Sequence, residues 1–203
     1  MLTLDHIAVA TERLADGAAA VEGALGLALQ PGGRHAAMGT HNRLLSLGAE
    51  YLEVIAIDPE ARAPEQPRWF DLDRFAGPAR ATTWICRCDD LGAALAAAPA
   101  GTGVPWTLER ADLRWRMAVP TDGRLPFAGL FPALIQWDGA AHPAPRLADV
   151  GARLAGLRLI SPGAAGLRAA LAPLIDDPRL EIADGPAPRI EARLATPAGE
   201  VVL

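Results

Sequence analysis

Hydrophobic and polar positions follow one plan three times along this 203-residue chain. Each copy opens with a short apolar strand, breaks, and runs into an Ala/Leu helix. The first has His6-Ile7-Ala8-Val9-Ala10, then Leu14, Ala18, Val21 and Leu25. The second has Trp84-Ile85-Cys86-Arg87-Cys88, then Leu91, Leu95 and Ala98. The third has Leu157-Arg158-Leu159-Ile160, then Leu167, Leu171 and Leu174. Apolar residues recurring at i, i+4 and i+7 form one stripe that packs on a sheet. Asp16, Asp89-Asp90 and Ser161-Pro162-Gly163 stand near the helix starts, where capping or acidic residues are favourable.

Strand-like segments follow each helix. In copy one they are Ala28 to Gln30, His41 to Leu47 and Tyr51 to Ile57, the last two joined by a turn at Gly48-Ala49-Glu50. In copy two they are Trp106 to Arg110, Leu113 to Val119 and Ala133 to Asp138, with a tight turn at Ala111-Asp112. In copy three they are Leu180 to Ala183, Arg189 to Ala195 and Glu200 to Leu203, with Thr196-Pro197-Ala198-Gly199 as the final turn. The pattern predicts an α+β fold of repeated βαβββ modules at 1–57, 81–139 and 150–203, with helices outside curved mixed sheets. Residues 58–80 form a Pro-rich linker, although Trp69-Phe70 within it is too apolar for a plain spacer, and His142-Pro143-Ala144-Pro145 makes a second connection. Such a module leaves a sheet face uncovered. Three modules leave one without an internal partner, which predicts a homodimer.

Hydrophobic content of 51% and charged content of 21% describe a globular chain. Its net charge of -5 and pI near 5.4 speak against nucleic acid or an anionic membrane as partner. No apolar run reaches the ~20 residues that cross a bilayer, and no signal-peptide layout opens the chain. A cytoplasmic protein is expected, with Cys86 and Cys88 as ordinary thiols, since a disulfide between residues two apart on one strand is strained.

Chemistry concentrates in His6 and Glu53, both mid-strand in apolar surroundings where polar groups need a partner or a task. If their strands are neighbours, the two side chains face one another in a cavity. Arg114 and Arg116 alternate with Trp115 and Met117, so both point one way, onto an anionic substrate or into solvent. Trp69 and Phe70 are placed to lid a cavity or to tack the linker to the core. Trp106, Trp115 and Trp137 read as core. Gly32-Gly33-Arg34 reads as a turn before a strand, with an anion nest as the alternative. His35 and His142 fall in expected loops. No G-x-S-x-G, Cys/His pairing or P-loop is present, which leaves metal-assisted chemistry or Glu53 acting as a base near His6.

Leu4-Asp5-His6-Ile7, Gly39-Thr40-His41-Asn42, Tyr51-Leu52-Glu53-Val54-Ile55-Ala56, Pro67-Arg68-Trp69-Phe70 and the closing 196–203 hairpin resemble the vicinal-oxygen-chelate superfamily. That superfamily includes glyoxalase I, extradiol dioxygenases and fosfomycin-resistance proteins, and the chain is more narrowly similar to its glyoxalase-like domain group. The resemblance implies paired modules curling around a cleft. It also implies metal ligands from the first and last strands of each module, here His6 and Glu53. The second copy departs, with Thr83 and Gln136 at the aligned positions, and the third departs further, with Gly156 and Leu203.

A catalytic divalent metal (Zn, Fe, Mn, Ni or Mg) needs about three protein ligands. His41 is the candidate third, and its facing depends on the hairpin register. If Leu47 pairs with Tyr51, Arg43 and His41 share the face of Glu53, and a one-residue slip sends both away. Candidate substrate contacts are Asn42, Arg43, Thr83, Gln136, Arg114, Arg116 and Trp69. Three readings stand open: a metal-dependent glyoxalase-like lyase, isomerase or oxygenase acting on a small oxygenated metabolite, a metal-free protein that binds a small molecule, and a structural domain with a vestigial site.

Overall fold

The computed structural model of the protein describes residues 1–203. The first unit comprises β1 (Thr3–Ala10), α1 (Leu14–Leu25), β2 (Gln30–His35), β3 (Thr40–Ser46) and β4 (Tyr51–Ile57). The second comprises β5 (Arg80–Arg87), α2 (Leu91–Ala97), β6 (Val104–Arg110), β7 (Leu113–Val119) and β8 (Ala133–Trp137). The third comprises β9 (Arg153–Ser161), α3 (Ala164–Leu171), β10 (Leu180–Asp184), β11 (Arg189–Thr196) and β12 (Gly199–Val202).

The first two units share one eight-stranded sheet in the order β2-β3-β4-β1-β5-β8-β7-β6. In each unit the first strand lies parallel to the last, and β1 runs antiparallel to β5 at the centre. The sheet curls until its outermost strands, β2 and β6, touch. The result is a half-barrel with an almost closed interior, the architecture of the vicinal-oxygen-chelate fold. Side-chain alternation divides it into two apolar layers. Ala8, Ile55, Ile85, Trp115, Met117 and Ile135 fill the inside. Ile7, Val9, Leu52, Val54, Trp84 and Leu134 point outward.

The helices cover that outer face. Ala18, Val21 and Leu25 of α1 are buried on it, and the helix ends at Gly26, whose φ of 65° suits a residue without a Cβ. The Asp90 carboxylate caps α2 by accepting from the Ala93 N–H at 3.0 Å.

The third unit has the chain order of the others but not their sheet. Its strands pair as β10-β9-β11-β12, so the second strand lies beside the first rather than at the far edge. Leu157, Leu159, Ile190 and Leu194, with Leu167 and Leu171 of α3, merge with the outer layer of the half-barrel in one core. Its opposite face carries ion pairs such as Arg158–Glu181 at 3.1 Å. The apolar face of this unit is therefore covered within the chain, and the unpartnered module on which the homodimer expectation rested is not there. No helix is long and apolar enough to cross a membrane.

Candidate active site

Two bulges decide what faces the interior. Along β1, Leu4 pairs with Cys86 and His6 with Ile85, so Asp5 is an extra residue against β5. Simple alternation would send Asp5 to the face opposite His6. The bulge instead brings both inside. Asp5 is fully buried, and its carboxylate accepts from His6 Nδ1 at 2.6 Å, Trp137 Nε1 at 3.0 Å and His142 Nε2 at 2.9 Å. Burial alone would raise its pKa. The hydrogen bonds from His142 and His6 outweigh burial and hold Asp5 well below the usual carboxylate range. With its Nδ1 proton committed to Asp5, His6 directs Nε2 at Glu53, whose Oε2 lies 3.6 Å away. That gap exceeds a hydrogen bond. Tyr51 stacks on the imidazole with ring centroids 4.3 Å apart.

Glu53 is positioned from β3. The observed register pairs Ser46 with Tyr51 and Leu44 with Glu53, one residue away from the alternative that favoured His41. Asn42 therefore shares the inner face, and its Nδ2 donates to Glu53 Oε1 at 2.5 Å. His41 and Arg43 point to the opposite face, and Arg43 is exposed. His41 is accordingly not a third ligand beside His6 and Glu53.

The second bulge, in β2 between Pro31 and Arg34, corrects the reading of Gly32-Gly33 as a turn or nest. These glycines are strand residues that make room for others. A Cβ on Gly32 would lie 2.0 Å from Asn42 Oδ1, and one on Gly33 would lie 2.6 Å from Arg110 Cδ. The Gly33 N–H donates to Asn42 Oδ1 at 2.7 Å. Gly32→Ala is expected to cost roughly 1–3 kcal/mol through overpacking, read as a lowered urea midpoint.

Arg110 and His35 join the site across the seam between β6 and β2. Arg110 Nη1 donates to His35 Nε2 at 3.1 Å and lies 3.4 Å from Asn42 Oδ1, while His35 Nδ1 meets Thr40 Oγ1 at 3.0 Å. Burial, followed by the Arg110 charge, pushes the His35 pKa down to about 3. His35 thus ends a strand rather than occupying a loop, and His142 anchors Asp5.

Together with Trp69, Phe70, Trp115 and Trp137, these groups enclose a cavity of about 30 Å³. That is room for about one water molecule. Trp69 and Phe70 stack at 5.2 Å and plug the half-barrel from the 58–80 connection, with Phe70 and Asp71 at φ of 59° and 53°. Left-handed backbone at such residues costs of order 1–3 kcal/mol each and is typical of ligand clamps.

The remaining candidates lie elsewhere. Arg114 and Arg116 do share a face, but it is the exposed outer one, and Arg114 approaches only Glu109 at 3.9 Å. Gln136 also points outward, where its Oε1 accepts from the Leu91 N–H at 2.8 Å at the start of α2. Thr83 is buried opposite Ala8, away from the cavity around Glu53. The two central strands carry matching bulges, with Asp5 extra in β1 and Thr82 extra in β5, so Thr83 stands in β5 where β1 has His6. Glu53 pairs with Ala8 and Ala133 with the related Ile85, so Ala133, rather than Gln136, occupies the position related to Glu53, and the second unit offers no His or carboxylate at either place.

The model of the glyoxalase-like domain family matches residues 4–175. The chain belongs to that family. Among solved structures, this glyoxalase-like chain is similar to a hypothetical protein from Staphylococcus aureus, with 14% identity, a TM-score of 0.63, and 93% of this chain and 88% of that one covered. It is also similar to a xylose isomerase-like TIM barrel/4-hydroxyphenylpyruvate dioxygenase fusion protein, with 18% identity, a TM-score of 0.50, and 98% of this chain and 31% of that one covered. Methylmalonyl-CoA epimerase from Mycobacterium tuberculosis matches with 18% identity and a TM-score of 0.43 over 68% of this chain and 88% of that one. No curated protein sequence matches significantly.

The donor set of this glyoxalase-like site does not fit a divalent metal. His6 Nε2 and Glu53 Oε2 converge, but no third His, Cys, Asp or Glu joins them. Asn42 turns its amide nitrogen, not its oxygen, toward Glu53. Two ligands fall short of the three that catalytic sites use.

Proposed function

We propose that this glyoxalase-like protein is an enzyme in which Glu53 and His6 move a proton on a small oxygenated metabolite. The observation that carries this reading is the line Asp5–His6–Glu53 on one concave face, with a cavity beside it. Asp5 fixes the imidazole tautomer and orientation. Glu53 is then free to take a proton from a carbon beside a carbonyl and to return one to it, while His6 Nε2, the acceptor nitrogen of that tautomer, takes a proton from a neighbouring hydroxyl. Arg110 and Asn42 stand ready to stabilise the enolate-like charge. A substrate larger than water is admitted when Trp69 and Phe70 swing out of the half-barrel.

Deuterium incorporation from heavy water, followed by NMR across a panel of 2-hydroxy and 2-oxo carbonyl compounds, tests the proposal. Wild-type protein is expected to label at least one compound beside its carbonyl. Glu53→Gln is expected to slow that exchange by about 10²–10⁴-fold, the usual worth of a positioned acid or base. Exchange at an undiminished rate in Glu53→Gln sinks the proposal. No exchange, together with thermal stabilisation of both proteins by the same compound, gives the answer to the metal-free binding protein.

A further inference from the structure

A second cavity, apart from the one around Glu53, is far larger than it. It is a cleft of about 750 Å³ where the half-barrel meets the C-terminal sheet. Its size suits an organic ligand. Phe70, Leu125, Leu130 and Ile190 supply apolar lining, and Arg74, Arg80, Arg124 and Arg189 supply charge. Only two carboxylates oppose these four arginines. Arg74 and Arg124 share Asp71, at 2.7 and 3.5 Å, and Arg189 takes Glu191. Arg80 has none. Its guanidinium donates to the carbonyls of Ala76 and Pro78 and lies 4.3 Å over the Phe75 ring. A net-positive cleft on a chain of charge -5 is a local feature that the overall composition does not produce. The wall also holds Thr82, whose Oγ1 is enclosed without a hydrogen-bond partner.

We propose that this cleft binds an organic anion with an apolar body, its carboxylate or phosphate held by Arg80 and Arg189 from opposite walls. Phe70 lines both this cleft and the cavity around Glu53, and it is the partition between them. An anion seated here directs its far end at Phe70 and, once that ring moves, at Glu53. Only this last step rests on the acid–base reading; occupancy of the cleft does not. The third unit thereby gains a role, since β11 and β12 supply one wall.

Calorimetric titration with octanoate, octyl phosphate and octanol tests the site. Octanoate or octyl phosphate is expected to bind about tenfold or more tightly than octanol, as charge-assisted hydrogen bonds would require. Arg80→Gln is expected to weaken anion binding by a similar factor, and Arg189→Gln several-fold. The second variant covers the case in which Arg80→Gln loosens its own loop. Arg116→Gln on the outer face leaves binding unchanged. Glu53→Gln leaves it within about twofold, so a failed deuterium-exchange experiment with intact octanoate binding removes the chemistry and keeps the cleft. Absence of binding by both anions at millimolar concentration overturns the proposal. So does affinity indifferent to both arginine substitutions, or affinity lost in Glu53→Gln alone.

Discussion

Acidifying the protein from pH 6.5 to 4.5 is expected to cost about 2–3 kcal/mol of folding stability through His35 alone. Its imidazole is buried, and the fold lowers its pKa from 6.5 to about 3, first by burial and then by the charge of Arg110. The hydrogen bonds state the same preference in structural terms. Arg110 can only donate, so His35 Nε2 must accept, which leaves the proton on Nδ1 facing Thr40. Protonating Nε2 would set two cationic donors against each other across the seam that closes the half-barrel. The pKa is depressed in the folded state, so between pH 6.5 and about 3 the unfolded chain holds a proton that the folded chain refuses. The stabilisation is complete above pH 6.5, erodes as pH falls, and is exhausted near pH 3. Urea unfolding at half-unit pH intervals should show this slope. His35→Gln, which retains an acceptor for Arg110 but cannot titrate, should flatten the profile between pH 6.5 and 4.5 while lowering stability at pH 7.5. An unchanged slope in that variant would place the titrating group elsewhere.

How much of this was legible in the sequence follows from what alternation can and cannot encode. The apolar runs located most strands within a residue or two, with β4 and β7 at their expected limits. That the strands of His6 and Glu53 are neighbours was a condition that alternation could not supply and that only the superfamily resemblance implied; β1 does lie beside β4. Bulges were invisible, because an inserted residue reverses the in-and-out parity without changing composition. That is why Asp5 was overlooked although it precedes His6, and why β2 was read as a glycine turn. The hairpin register was open by one residue, and the observed choice put Asn42 rather than His41 beside Glu53. Aligning the second unit to the first by its apolar residues selected Thr83, which the matching bulges of β1 and β5 keep, and Gln136, where the sheet register selects Ala133. His35 and Arg110 are 75 positions apart and sit on strands at opposite ends of the sheet order. Only closure of the curl makes them neighbours. The third unit repeats the chain order of the first, and chain order does not specify pairing order.

Asp5→Ala is expected to cost about 3–5 kcal/mol at pH 7.5, the scale for removing one member of a buried, hydrogen-bonded charge cluster. The single carboxylate gathers three donors, from His6, Trp137 and His142, that come from two distant parts of the chain. Without it those N–H groups lose their shared acceptor inside the half-barrel, and each such loss carries its own desolvation penalty. Asp5→Asn should cost less, because an amide oxygen still accepts, but its NH₂ must face at least one of the donors. Proton exchange should suffer in both variants, since His6 is no longer held with Nε2 toward Glu53. The pH dependence distinguishes this cluster from the seam. Hydrogen bonding holds Asp5 below its ordinary value of 3.8, so its contribution is complete above that pH and is lost only as the solution becomes more acidic. Asp5→Ala should therefore keep the slope that His35 produces between pH 6.5 and 4.5 while becoming less sensitive to acid below pH 4. A cost under about 1 kcal/mol at pH 7.5 would instead mark the cluster as one that water satisfies as well as the carboxylate does, and the fixed tautomer on which the acid–base reading depends would go with it.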